Sequence, residues 1–91
     1  MSDNAILVIA DDHPLVRDAL RQTIAQDLAG AVFHEAANLA EAESAIRNLE
    51  SPDLVLLDLH MPGMRGFTGL AYLRSQFPET PVAMISASTD P

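Results

Sequence analysis

Apolar residues follow two rhythms along this chain. Ala5–Ala10 (Ala-Ile-Leu-Val-Ile-Ala) is apolar without a break, the pattern of a strand covered on both faces of a parallel sheet. From Pro14 the rhythm changes: Leu15, Val16, Ala19, Leu20, Thr23, Ile24 and Leu28 recur at spacings of three and four. That spacing predicts a helix with Pro14 in its first turn and Gly30 closing it. Ala31–Glu35 predicts a second strand, more polar, as an edge strand tends to be. Asn38 and Glu41 form a capping-box pattern with Asn in place of Ser or Thr, opening a helix whose stripe is Leu39, Ala42, Ala45, Ile46 and Leu49. Pro52 marks its end. Asp53–Asp58 predicts a third strand, and residues 59–66 a loop punctuated by Pro62, Gly63 and Gly66. Phe67, Leu70, Ala71, Leu73 and Arg74 predict a shorter third helix with its apolar members against the sheet. Pro78 and Pro81 bracket the turn into a fourth strand, Val82–Ile85, and residues 86–91 read as loop.

This alternation predicts a single α/β domain over residues 1–91, a doubly wound parallel sheet with right-handed crossovers and helices on both faces. Ligands of such sheets lie beyond the carboxyl ends of the strands. Asp11, Asp12 and Asp58 stand at those ends. Crowded carboxylates repel one another unless a cation sits among them, and hard oxygen ligands at that density suit Mg²⁺. A lone strand-end Asp is better read as a helix cap, and Asp12, just before Pro14, fits that role too. An acid pair with a third strand-end acid turns the reading towards a site. Beside a metal, Asp58 is the expected nucleophile, attacking phosphorus to give an acyl phosphate. At the end of the fourth strand, the Ser86 hydroxyl and the backbone N–H of Ala87 are expected donors to phosphoryl oxygens, against the plainer reading of a loop serine. His60 is expected to offer its backbone carbonyl to the metal. His13 and His34 read as ordinary polar residues, and Met61, Met64 and Met84 as gap fillers. Gly63 and Gly66 lack the spacing of a phosphate-cradling loop.

Composition narrows the picture. Hydrophobic residues make up 48% of the 91, yet the aromatics are three Phe and one Tyr, so the core is expected to be aliphatic and modest. Thirteen acids against five bases give a formal charge of -8, which disfavours nucleic acid and anionic lipid as direct partners. The bases are Arg17, Arg21, Arg47, Arg65 and Arg74, and lysine is absent. Without cysteine there is no disulfide, thiolate zinc site or thiol nucleophile. The apolar run ending at Ala10 is too short for a secretory segment or a membrane span, so a soluble cytoplasmic protein is expected.

Taken together, Ile9-Ala10-Asp11-Asp12-His13-Pro14, Asp53–Met64 with Asp58 and Met61-Pro62-Gly63, and Val82–Ala87 with Ser86-Ala87 resemble the receiver domain of two-component response regulators. The Asp-Asp-His-Pro start is most like receivers that precede a LuxR-type helix-turn-helix. The resemblance implies a flavodoxin-like receiver fold. It also implies a phosphoacceptor Asp58 charged by a sensor histidine kinase, and Mg²⁺ held by Asp11, Asp12, Asp58 and the carbonyl of His60. Ser86 would contact the phosphoryl group and shift with it, the His60 side chain would tune hydrolysis, and an output controlling transcription would follow.

The chain departs from the family pattern: it carries no counterpart of the family's fifth strand with its lysine, the aromatic switch residue, or the fourth and fifth helices. The expectation is the first part of a receiver, ending after the fourth strand, with the output domain in a longer protein; a naturally short variant is the second reading. Loss of the lysine contact is expected to weaken the switch, and the outer edge of the fourth strand to pair with a second copy. Two rivals remain: a phosphate-independent association module, and a Mg²⁺-dependent phosphohydrolase. The second commonly carries Asp-x-Asp, whereas Leu59 and His60 follow Asp58. A turnover enzyme is not expected.

Overall fold

The computed structural model describes residues 4–49, 52–61, 64 and 67–85. The elements run β1 (Ile6–Ala10), α1 (Pro14–Asp27), β2 (Val32–Ala36), α2 (Leu39–Leu49), β3 (Leu54–Asp58), α3 (Phe67–Gln76) and β4 (Val82–Ile85). All pairings are parallel, in the order β2-β1-β3-β4. The two unbroken apolar runs, β1 and β3, are the central strands, and the polar β2 lies at an edge, as its composition predicted.

Register follows from side-chain demand. Leu7–Ala10 pair with Leu54–Leu57, so both apolar runs end level with each other. Just below them, the Asp53 carboxylate accepts from the Ile6 N–H at 2.7 Å, and the Asp53 N–H donates to the Ile6 carbonyl at 2.7 Å. Asp53 therefore precedes β3 rather than opening it. The second strand is shifted one residue from expectation, because Ala36 pairs with Ala10 and its carbonyl accepts from the Asp11 N–H.

Val8, Ala10, Val55 and Leu57 share one face with Ala36, Ala42, Ile46, Met61 and Leu73, and this aliphatic cluster is the main core under α2 and α3. By the pleat, Leu7, Ile9 and Leu56 are buried on the opposite face, where α1 lies against β1. The capping box before α2 forms with a variation. The Glu41 N–H donates to Asn38 Oδ1, and the Glu41 carboxylate reaches the N–H of Ala37, one residue before the usual partner (both 2.8 Å). Gly30, at φ 87°, reverses the chain after α1; a Cβ there would also meet Asn4 Oδ1 at 2.8 Å.

Two helix faces differ from expectation. No α1 residue is fully buried: Val16, Leu20 and Ile24 are half-buried, while Ala19 and Thr23 are exposed and Leu15 is 83% exposed. The main contact of α1 with the rest of the fold is β1, so the helix beds a narrow line of half-buried residues. In α3 the buried residues are Gly69 and Leu73. At 100° per residue, Phe67 and Ala71 point away from that line, and Phe67 is 64% exposed. Met64 packs onto the bare backbone of Gly69. Of the predicted gap fillers, Met61 is buried in the core, whereas Met84 is 42% exposed.

A small polar cluster ties α3 to α2. Tyr72 donates to Glu43 Oε2 at 2.8 Å, and Arg47 reaches the same oxygen at 2.9 Å. The Tyr72 hydrogen bond, then Arg47, holds Glu43 below its ordinary value of 4.5, and the same bond raises the Tyr72 hydroxyl above 10.0. The Arg47 guanidinium also lies 5.4 Å from the centre of the Phe77 ring. None of the described helices is long and apolar enough to cross a membrane.

Candidate metal centre at the sheet edge

Because Ala10 pairs with Leu57, Asp11 and Asp58 stand side by side where β1 and β3 end. Both are fully buried. The Asp11 N–H continues the ladder to the Ala36 carbonyl at 2.9 Å, and Arg17 Nη1 donates to the Asp11 carbonyl at 2.6 Å. Arg17 also donates through Nε to Glu35 Oε1 at 2.7 Å, so one guanidinium braces α1 against the ends of β1 and β2. Sequence reasoning gave Arg17 no role; its signal was its place one turn into the helix that follows the acids.

The carboxylates are only half satisfied. Asp11 Oδ1 accepts from the His13 N–H at 2.8 Å, and Asp58 Oδ1 from the His60 N–H at 3.1 Å. Their second oxygens, Asp11 Oδ2 and Asp58 Oδ2, are buried without any hydrogen-bond partner. A buried charged oxygen left unpaired is costly, and a cation is the partner that satisfies several at once. The acids predicted from sequence therefore converge, and the donor set fits a divalent metal.

His13 belongs to this group, contrary to its reading as an ordinary polar residue. One ligand atom from each of Asp11, Asp12, His13 and Asp58 lies within 4.8 Å of all the others. His13 takes an extended backbone ahead of Pro14 (φ -106°, ψ 109°), as the residue before a proline does. That turns its ring back over the acids, with Nδ1 3.0 Å from Asp11 Oδ1 and 3.0 Å from Asp12 Oδ1. The second contact is an ion-pair distance without hydrogen-bond alignment, since Asp12 Oδ1 has no hydrogen-bond partner. The hydrogen bond to Asp11, followed by the charge of Asp12, raises His13 above 6.5. The N-cap of α1 is His13 with no side-chain cap, so Asp12 makes no capping hydrogen bond to the helix, and one of its atoms lies within the cluster.

Ser86 and Ala87 lie outside the described residues, as do Pro62, Gly63 and Gly66 of the loop. At His60 the structure gives the N–H bond to Asp58. The exposed ring is apart from the cluster.

The response regulator receiver domain matches residues 7–91. The chain belongs to the response regulator receiver family. It is 44% identical over 84 residues to the glycerol metabolism activator of Pseudomonas putida, covering 92% of this chain and 38% of that protein. It is 36% identical over 84 residues to the nitrate/nitrite response regulator protein NarL of Escherichia coli K12, again covering 92% of this chain and 38% of the relative. Among solved structures, a LuxR-family two-component response regulator from Aurantimonas sp. SI85-9A1 superposes with a TM-score of 0.81 at 30% identity, over 96% of this chain and 61% of that one. The chain thus spans less than two-fifths of the length of these curated relatives. The parallel sheet with an acidic pocket at the strand ends is the receiver arrangement that the sequence predicted.

Proposed function

We propose that this receiver accepts a phosphoryl group on Asp58 from a sensor histidine kinase in the cytoplasm, and that the longer regulator uses that event to control transcription. One observation carries the reading: fully buried Asp11 and Asp58, each with an unpaired carboxylate oxygen, meet Asp12 at the carboxyl edge of the sheet. Asp11, Asp12, Asp58 and the His60 carbonyl would hold Mg²⁺, which when bound offsets the negative charge of the acids and of an incoming phosphoryl group. Asp58 attacks phosphorus, an acyl O–P bond forms as the donor's N–P bond breaks, and the released histidine nitrogen takes up a proton. The His60 N–H steadies Asp58 Oδ1, and the two oxygens of the Asp58 carboxylate are proposed to divide the roles of facing the ion and attacking phosphorus. Ser86 and the Ala87 N–H are proposed to receive the phosphoryl oxygens.

The test is incubation with Mg²⁺ and acetyl phosphate, read by intact mass. One added phosphoryl group in wild type, none in Asp58→Asn and none with a chelator support the proposal. No addition to wild type, or equal addition to both proteins, contradicts it.

Self-association is proposed at β4, which among the described residues pairs on one side only, with β3. A mass that grows with concentration in sedimentation supports this pairing; a monomer at every concentration overturns it.

A further inference from the structure

We infer that His13 is a metal ligand of the acidic pocket, and that its imidazole nitrogen makes the site favour a transition-metal dication such as Mn²⁺ over Mg²⁺. The inference rests on the metal pocket proposed above and adds a fourth side-chain donor and a selectivity to it. Nδ1 of His13 is hydrogen-bonded to Asp11 Oδ1 at 3.0 Å and stands 3.0 Å from Asp12 Oδ1, so a bound ion takes the place of the bridging proton, which is released to solvent. With Asp58 included, the four donors span no more than 4.8 Å. Donors on one ion at bond lengths of about 2.0–2.2 Å lie roughly 3 to 4.4 Å apart. The observed spread is wider than that range, so the four donors must draw inward to share one ion.

The buried, unpartnered Oδ2 atoms of Asp11 and Asp58 independently mark the place as a ligand site rather than a surface cluster. They form its floor. The His13 side chain, 60% exposed, forms its rim. This leaves the solvent side open for water or a phosphoryl oxygen. The ring is also held in place: the His13 N–H is bonded to Asp11 Oδ1, Pro14 restricts the backbone that follows, and Arg17 grips the Asp11 carbonyl.

Donor chemistry then sets the preference. Mg²⁺ wants an octahedron of oxygens and gains little from imidazole. First-row dications accept a nitrogen among carboxylates more readily, with affinity rising from Mn²⁺ to Cu²⁺ and falling back at Zn²⁺. Three carboxylates and one imidazole therefore form a better cage for Mn²⁺ than for Mg²⁺.

The experiment titrates the protein calorimetrically with Mn²⁺ alone and with Mg²⁺ alone, for wild type, His13→Ala and His34→Gln. Pulsed EPR of bound Mn²⁺ then looks for coupling to imidazole nitrogen. The expected result is Mn²⁺ binding weakened about tenfold or more in His13→Ala with Mg²⁺ binding little changed, since losing even an outer partner of a ligand costs that much. The nitrogen coupling should be present in wild type and His34→Gln and absent from His13→Ala. Mn²⁺ bound without nitrogen coupling overturns the role of His13 and leaves the acid pocket standing. So does tighter binding of both ions in His13→Ala, which would make the ring a competing counter-charge. Failure of either ion to bind overturns the pocket and the inference together.

Discussion

Leu57→Ala is expected to cost about 2–5 kcal/mol of folding stability, the range for truncating a fully buried leucine. Leu57 is 0% exposed, pairs with Ala10 on one side and Met84 on the other, and belongs to the main core. The total for a domain of this kind is about 5–15 kcal/mol, so the loss threatens the fold. It also strikes the residue that carries Asp58 to the sheet edge. Leu15→Ala is the matched comparison: with Leu15 83% exposed, the change should stay within about 0.5 kcal/mol. Urea unfolding of both variants measures the pair. Similar losses at the two positions would mean that the α1 surface is buried in solution and that the packing described here is wrong.

The second large effect is the response to metal. Mg²⁺ at about a hundredfold excess over its Kd should stabilise wild type by about 2.7 kcal/mol, an increase in Tm of roughly 10–20 °C for a domain of this size. Asp58→Asn should lose most of that response. In chelator the same variant should be more stable than wild type by about 1–3 kcal/mol, because Asp58 is buried beside Asp11 with an unpaired oxygen. An amide in its place carries no charge and can donate to a neighbouring acid. Thermal unfolding with Mg²⁺ and with chelator reads both effects. A wild-type Tm that is the same in both solutions would contradict the metal pocket.

Much of this architecture was legible in the chain because apolar runs and acids fall at chemically meaningful places. The unbroken runs of β1 and β3 demand burial on two faces, and that demand puts them at the sheet centre with Asp11 and Asp58 side by side. Asn38 and Glu41 announced the start of α2 because local hydrogen bonds suffice to form a cap.

Other features depend on what surrounds an element. The spacing of Leu15, Ala19 and Thr23 describes an apolar face, but how much of it is covered depends on neighbouring elements, and here only a strip meets β1. Phe67 reads as core, yet the close approach of Met64 to Gly69 chooses a different inward line for α3. His13 escaped notice because a histidine beside an acid pair is ordinary in sequence. It becomes a donor only once the backbone ahead of Pro14 turns its ring over Asp11 and Asp12. Asp12 had two compatible roles, of which the side-chain cap is not formed at the start of α1.

Asp58, of all the acids in the pocket, is the proposed carrier of the phosphoryl group. The most direct test treats the protein with acetyl phosphate and Mg²⁺, reduces the acyl phosphate with borohydride, and maps the resulting homoserine by peptide mass spectrometry. Homoserine is expected at position 58 alone. Homoserine at Asp11 or Asp12, or none anywhere while intact mass records a phosphoryl group, would place the acceptor elsewhere and contradict that proposal.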